Sequence, residues 1–361
     1  MGDRTVLRDV RVFDGDGFGE PSSVVIDGDL IGVEPQAGPD ASAAVVDGGG
    51  GYLLPGLIDC HIHLVDEGTL HKLASYGVTT ALDMGTWPPS LVDSLRGVGG
   101  VTDIRSSGVG ASQPTSRHAQ RGRPVSGMVT GVEDADGWVA DRVAEGADYI
   151  KVVIDLPGFD QPTLDALVVA AHARGKQVIM HASSFEAVRM AQSAGADVAT
   201  HAPLDRAMDE QGVARMVADG RISVPTLAMM EGIAANIPGP SYEAARVSVA
   251  ELYRAGVPVL AGTDANEATG VPASPPFGES LHHELELLVG AGLSTLDTLR
   301  AATILPAQYF ALPDRGAIQP GWRADLVLLS GDPLADIRAT RLVERVWCAG
   351  VEHEVYQPAH Q

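Results

Sequence analysis

Cysteine and positive charge are both scarce in this chain of 361 residues, and each scarcity excludes a class of protein. The two cysteines, Cys60 and Cys348, lie far apart in the sequence, so they predict no disulfide framework and fit a reducing cytoplasm. Lysine and arginine number 25 against 47 aspartates and glutamates, which gives a net charge of −22. So acidic a chain repels nucleic acid and anionic membranes. We therefore expect a cytoplasmic protein that acts on small molecules.

Apolar runs long enough to cross a membrane are also missing. No run approaches the roughly 20 residues that a bilayer-spanning helix needs. The N-terminal segment MGDRTVLRDVRVFDG alternates apolar and charged residues, unlike the apolar stretch of a signal peptide. Apolar residues nevertheless make up 45% of the chain, and its length predicts one large domain with a small one.

The two ends of the chain are rich in short β-type segments. Runs of strand-forming residues, separated by Asp-Gly and Gly clusters, occur in the first fifty residues and again in the last fifty. Neither end is long enough to make its own core. We predict that residues 1–54 and 314–361 pair into one small β-sandwich domain, with residues 55–313 inserted between them.

The middle of the chain alternates apolar β-type segments with stretches of helical period. Eight strands alternating with helices over about 250 residues predict an α/β fold, a (β/α)8 barrel of the TIM type. A doubly wound open sheet is the competing architecture, which is disfavoured because no G-x-G-x-x-G follows the first strand. The predicted strands are residues 56–64, 78–84, 104–110, 149–154, 177–181, 197–201, 222–227 and 257–263.

A His-x-His pair closes the first predicted strand. Side chains at positions i and i+2 of a strand share a face, so His61 and His63 can both point into the barrel mouth. The alternative is two solvated loop histidines. Asp59 could orient one of these histidines by a hydrogen bond. Cys60 is adjacent to His61, so its side chain points to the opposite face of the strand, and we interpret it as a packing residue.

Residues able to bind a metal end four further strands. Lys151, His181, His201 and Asp264 fall at or near the C-terminal ends of the fourth, fifth, sixth and eighth predicted strands. Active sites of TIM barrels are built at that end of the strands. Four such residues on separate strands, together with the first-strand pair, indicate a metal centre.

Lys151 is the unusual member because it lies in the apolar run ADYIKVVID, where a charged amine is costly to bury. One interpretation is an ion pair with Asp148 or Asp155. The other is chemical, because a desolvated lysine has a lowered pKa and can react with carbon dioxide to form a carbamate. A carbamate is an anionic oxygen ligand that can bridge two cations.

These segments together resemble the amidohydrolase superfamily. The likeness rests on PGLIDCHIHL, the strand-four lysine, the single histidines ending strands five and six, and the GTD of strand eight, and it covers nearly the whole chain. It implies two divalent metal ions, usually zinc, with manganese, iron or cobalt as alternatives. It also implies that these cations lower the pKa of a bridging water and polarise the scissile carbonyl, and that Asp264 is the catalytic proton acceptor. The implied ligands are His61, His63 and Asp264 for one ion, His181 and His201 for the other, and carboxylated Lys151 for both.

Within the superfamily, the segment FGESLHHELELLVGAGLSTLDTLRAAT resembles imidazolonepropionase-like proteins and Xaa-Pro or N-acyl-amino-acid hydrolases. The implied reaction is hydrolysis of a C–N bond, an amide or cyclic amide, in a small molecule, an N-acyl amino acid or a dipeptide. Hydrolysis of a lactone, another ester or a phosphotriester is an alternative. So is a metal-dependent cyclisation, dehydration or isomerisation, and so is a metal-free scaffold. Relatives are often dimeric or larger, which leaves a homo-oligomer open.

The loop after strand three departs from that group. Relatives often carry Gly-Gly-His-Gly there, whereas this chain reads SQPTSRHAQRGRP, in which His118 matches the histidine alone. After strand seven, VPTLAMMEG lacks the tyrosine that several relatives use to bind a substrate carboxylate. Arg117, Arg121 and Arg123 surround His118, and together they predict recognition of a carboxylate or another anionic group. The alternative is a solvated loop.

Overall fold

The computed structural model describes residues 4–33, 43–122 and 124–355. Arg123, one of the predicted anion-binding residues, lies outside the described residues. Within the described ranges, no helix is both long and apolar enough to cross a membrane.

Strands and helices alternate through most of the described chain. The strands are β1 (Arg4–Val12), β2 (Ser22–Asp27), β3 (Leu30–Gly32), β4 (Ala44–Pro55), β5 (Leu57–Ile62), β6 (Val78–Asp83), β7 (Asp103–Ser106), β8 (Ile150–Val153), β9 (Val178–His181), β10 (Val198–Thr200), β11 (Ile222–Ser223), β12 (Leu326–Leu329), β13 (Val343–Cys348) and β14 (Val351–His353). The α-helices are α1 (Glu67–Ala74), α2 (Pro89–Leu95), α3 (Arg117–Gln120), α4 (Val132–Ala144), α5 (Gln161–His172), α6 (Phe185–Ala194), α7 (Glu210–Ala218), α8 (Leu227–Asn236), α9 (Tyr242–Arg254), α10 (Glu279–Gly290), α11 (Thr295–Ala301) and α12 (Ile304–Tyr309).

Both chain ends contribute to one seven-stranded sheet, in the order β14-β13-β12-β4-β1-β2-β3. The ends meet at β4, which pairs parallel with β1 and antiparallel with β12, so that Leu54 lies opposite Val327. Buried Trp347 packs with apolar side chains from both ends of the chain on this sheet. The two ends therefore share one sheet, while a sandwich of two stacked sheets stays a prediction.

The middle of the chain forms parallel strands. One sheet has the order β5-β6-β7 and another has the order β8-β9-β10-β11, and every neighbouring pair in them is parallel. Isolated parallel bridges join Ala111 to Val152, Ser223 to Val259, and Ile62 to Ala265. Each of the first seven predicted segments overlaps one of these strands, so the alternating apolar pattern located them correctly.

The eighth predicted segment, residues 257–263, is not a regular strand, and here the prediction is wrong in detail. Its extended backbone makes only the single bridges at Val259 and, just beyond it, at Ala265. Pro258 has no N–H to donate, and Asp264 adopts a left-handed backbone conformation with φ of 59°. These two residues interrupt the ladder, although the backbone N–H groups of Cys60 and His63 still donate to the Ala261 and Ala265 carbonyl oxygens.

The seventh predicted segment, residues 222–227, is also shorter than expected. Only Ile222 and Ser223 form the strand, and Leu227 is already the first residue of α8. Apolar residues fill both the strand and the start of the helix, so periodicity alone does not separate them.

Candidate metal centre

Parallel strands present their carboxyl ends at one edge, and the six predicted ligands meet there beside one cavity. Asp264 lies at the centre of the cluster, with its Oδ1 3.4 Å from His61 Nε2 and 3.0 Å from His63 Nε2. His201 Nε2 lies 2.8 Å from His181 Nδ1. The nitrogens of these four histidines, which come from the ends of three strands (β5, β9 and β10), thus lie around one carboxylate, and Lys151 lines the same cavity.

Two threonine hydroxyls decide which imidazole nitrogens face this cluster. Thr200 Oγ1 lies 2.9 Å from His61 Nδ1, and Thr226 Oγ1 lies 2.5 Å from His201 Nδ1. When each Nδ1–H donates to its hydroxyl, the lone pair of each imidazole is on Nε2, which in His61 faces Asp264 and in His201 faces His181. His201 Nδ1 lies 3.9 Å from Asp264 Oδ2. The donor atoms of His61, His201 and Asp264 lie within 4.8 Å of one another, a set that fits a divalent cation.

Burial sets the protonation of these groups. It lowers the pKa of His61 well below its usual range and that of His201 to about 3, so both imidazoles are neutral at pH 7. Burial opposes ionisation of Asp264, but the hydrogen bond from His63 and the electrostatic interactions with His201, His63 and Lys151 outweigh it and lower the pKa of that carboxyl. Neutral imidazoles and an ionised carboxylate are the forms that bind metal.

Asp59 acts on the backbone rather than on an imidazole, which corrects the expectation that it orients a ligand ring. Its Oδ1 accepts hydrogen bonds from the backbone N–H groups of His61 and Thr263, both at 3.1 Å, and its Oδ2 accepts one from Thr263 Oγ1 at 2.7 Å. Asp59 therefore fixes β5 to the segment that carries Asp264. Cys60 lies in a buried apolar cluster, as expected of a packing residue.

Each carboxylate considered as an ion partner for Lys151 has another partner. Asp148 Oδ2 lies 2.8 Å from Arg96 Nη2, and Asp155 Oδ2 lies 2.8 Å from His118 Nδ1. Lys151 itself is buried, and its positive charge contributes to the lowered pKa values of His61 and His201.

The loop after β7 brings a histidine over the site. Asp155 Oδ2 accepts hydrogen bonds from both the backbone N–H and the Nδ1–H of His118, each at 2.8 Å. The His118 ring packs against His181, with ring centroids 4.6 Å apart. Arg117 and Arg121 are exposed and line the same cavity, on α3 and at its end.

The contacts of three of these residues were missed by sequence reasoning. Asp155, considered only as a partner of Lys151, could have been placed at the site, because it follows β8 at period-two spacing from Lys151 and Val153, which puts the three on one face. Thr200 and Thr226 left no local signal, because their contacts with the histidines depend on how separate strands align.

The cavity has a volume of about 860 Å³ and an uneven lining. Charged and polar groups come from the loops after β7, β8, β9 and β10 and from Asn266 and Glu267, which follow Asp264. Apolar side chains come from α8, from the segment after Asp264, and from the loops after β5 and β6. The apolar lining residues include Val65, Trp87, Leu91, Met229, Met230, Ile233, Ile237 and Val271.

A model of the Amidohydrolase family matches residues 52–352. The chain belongs to this family. An imidazolonepropionase of Deinococcus deserti is 25% identical over 389 residues, which cover 92% of this chain and 91% of that protein. A crystal structure of a Xaa-Pro dipeptidase with bound methionine matches with a TM-score of 0.83 at 22% identity, over 98% of this chain and 100% of that one. A prolidase in complex with N-methylphosphonate-L-proline matches with a TM-score of 0.78 at 26% identity, over 97% and 99%.

These amidohydrolase neighbours imply a TIM-barrel-type fold, and the family supports a hydrolase that acts on C–N bonds. Amidohydrolases generally use divalent metals. Among the residues that the structure describes, two groups could hold one, the first being His61, His201 and Asp264 and the second His118, Asp155 and His181.

Proposed function

We propose that this amidohydrolase cleaves the amide bond of N-acyl amino acids or dipeptides at a binuclear metal centre. One observation carries the proposal: four histidines, Lys151 and Asp264 meet at one end of the parallel strands, beside a cavity with an apolar wall and exposed arginines. The proposal extends to the amide or cyclic amide bond of other small molecules.

The six residues would share two divalent cations, with zinc as the usual ion and manganese, iron or cobalt as alternatives, because a set of nitrogen and oxygen donors does not select among them. Two such cations lower the pKa of a water molecule and polarise the scissile carbonyl. We assign them as follows: His61, His63 and Asp264 to one ion, His181 and His201 to the other, and Lys151, as a carbamate, to both.

Asp264 would move the proton in this reaction. Its carboxylate is buried, ionised at neutral pH and in contact with His61 and His63. It would accept the proton of the attacking water and donate it to the leaving nitrogen, so the amine departs neutral.

His118 would bind the substrate. Because Asp155 accepts the hydrogen bond from Nδ1, the ring nitrogen left for the substrate is Nε2. We propose that the doubly protonated ring, whose positive charge Asp155 balances, donates its Nε2–H to an oxygen of the substrate, next to His181.

We also propose that the eight segments close into a barrel and that both chain ends form the small β-sandwich. Support for closure comes from the bridges between Ser223 and Val259 and between Ile62 and Ala265, which join the two parallel sheets through the eighth segment. The acidic charge of −22 supports a small molecule, rather than nucleic acid or a membrane, as the partner.

The arginines give a prediction about specificity. Replacing Arg117 and Arg121 together by glutamine is expected to raise KM about 10–100-fold for substrates with a free carboxylate, since a hydrogen bond to a charged group contributes roughly 1.5–3 kcal/mol. kcat should change little, because such contacts bind substrate and transition state alike. Steady-state kinetics with an N-acyl amino acid and with its C-terminal amide measures the difference. Arg215→Gln, in an exposed arginine of α7, is the matched control. An equal KM change for acid and amide would contradict carboxylate recognition.

The proposed function is tested by metal analysis and a substrate panel. Purified protein should contain about two equivalents of metal per chain. The panel contains N-acetyl and N-benzoyl amino acids, Xaa-Pro dipeptides, lactones and aryl esters. We expect turnover of the amides. Turnover of lactones or esters alone would overturn the amidase assignment, and less than one metal per chain after growth with added zinc or manganese would overturn the binuclear centre.

A further inference from the structure

The start of α8 has an unusual cap. Thr226 occupies the position before the helix, where a threonine hydroxyl normally accepts a hydrogen bond from a backbone N–H two or three residues on. Here its side chain makes no such bond and lies 2.5 Å from His201 Nδ1 instead. Its backbone is left-handed, with φ of 50°, a conformation that is uncommon for a β-branched residue.

A carboxylate from another helix satisfies the first turn of α8. Glu284, on α10, is fully buried, and its Oε1 accepts a hydrogen bond from the Leu227 N–H at 3.0 Å. Its Oε2 accepts one from the Ala228 N–H at 2.7 Å. Each oxygen is an acceptor, an arrangement that only the ionised carboxylate satisfies in full, and a negative charge at a helix N-terminus is favourable. Burial raises the pKa of Glu284 to about 8 even though these two hydrogen bonds favour the ionised form, so the carboxylate that caps α8 in full is the form present above that pH.

We propose that Glu284 and Thr226 form one positioning unit for His201. Glu284 supplies the cap that Thr226 would otherwise provide, and the Thr226 hydroxyl is thereby available to fix the His201 ring with Nε2 toward the metal centre. This inference rests on the proposed function, in which His201 is a metal ligand. It also gives a role to the segment FGESLHHELELLV, whose buried glutamate the metal centre does not use.

The same unit fixes one wall of the cavity. Met229, Met230 and Ile233 lie in the first two turns of α8 and line the cavity. A shift at the start of α8 would therefore move the His201 ring and the apolar wall together.

The test measures metal affinity, not activity. Apo-protein is titrated with zinc in competition with a chromophoric chelator, and thermal melting of the same apo samples is recorded. Thr226→Val keeps the shape and β-branching of threonine and removes only the hydroxyl. We expect it to weaken zinc binding about 10–100-fold, which is the usual effect of removing the hydrogen-bond partner of a metal ligand. Thr226→Ser should bind zinc like the wild type.

Glu284→Gln tests the second half of the unit. Glutamine offers one acceptor oxygen and turns an NH₂ group toward the other backbone N–H, so we expect weaker zinc binding here as well. The double variant should bind zinc no more weakly than the single variant that has the lower zinc affinity. The effects of two residues that act through one contact do not add. The matched control is Glu286→Gln on the same helix, where the carboxylate pairs with Arg341.

The outcomes separate the two proposals. Wild-type apo-protein that takes up no zinc would overturn the metal centre and this inference together. Wild-type protein that binds zinc, with Thr226→Val binding equally well, would overturn this inference alone, even if the melting temperature falls. If Glu284→Gln does not fold, the comparison of Thr226→Val with Thr226→Ser still tests this inference.

Discussion

Asp264→Asn is expected to lower kcat about 10³-fold while most of the metal stays bound. Asparagine keeps the shape of the side chain and an oxygen facing His63, but it has no carboxylate to accept a proton. Positioned general acids and bases contribute about 10²–10⁴-fold to rates, which sets the expected size. Steady-state kinetics and metal analysis on the same preparation measure both quantities.

Asp205→Asn is the matched control for that variant. Asp205 also lines the cavity, but its Oδ1 accepts a hydrogen bond from the Phe185 backbone N–H and lies outside the groups able to hold a metal. Full activity in Asp264→Asn would remove Asp264 as the proton acceptor. Loss of metal together with loss of activity would mean that Asp264 acts only as a metal ligand.

We expect Lys151→Ala to lose metal, with a metal affinity at least about 10²-fold weaker than that of the wild type. Removal of a residue that only hydrogen-bonds to a metal ligand already weakens metal binding about 10–100-fold. If the native ligand is the carbamate, a small carboxylate such as formate or acetate should restore part of the metal content and activity, because it supplies the missing anionic oxygens. Metal analysis with and without the carboxylate measures this effect.

The carbamate can also be observed directly. Protein loaded with metal in ¹³C-bicarbonate should give a carbamate resonance that is absent from Lys151→Ala. The exposed Lys72 offers the matched control, because Lys72→Ala removes a lysine that forms an ion pair with Glu267 at the surface. Wild-type protein with full metal and no carbamate signal would refute carboxylation.

Local periodicity made much of the fold predictable. The parallel strands follow from alternating apolar segments, and the amidohydrolase family follows from motifs such as that around His61 and His63, which the family match confirms. Strand-end placement is a local property, so His181 and His201 could be identified before any pairing was known.

The features that could not be predicted from the sequence depend on contacts between distant segments of the chain. Glu284 acts on residues 56 and 57 positions earlier in the chain, and Thr200 meets His61 across 139 positions. The eighth strand was misjudged because its apolar composition predicted a strand while Pro258 and the left-handed Asp264 prevent a regular ladder. The substrate-facing lining depends on loop conformation, which composition does not encode.

The pairing of β4 with β12 has a consequence for synthesis of the chain. Leu54 and Val327 lie opposite each other, 273 positions apart (327 minus 54). At about 5–20 residues per second, β12 leaves the ribosome roughly 14–55 s after β4. During that interval one side of β4 is an unpaired apolar edge, the kind of surface that promotes aggregation. The middle of the chain therefore has time to fold before β4 pairs with β12.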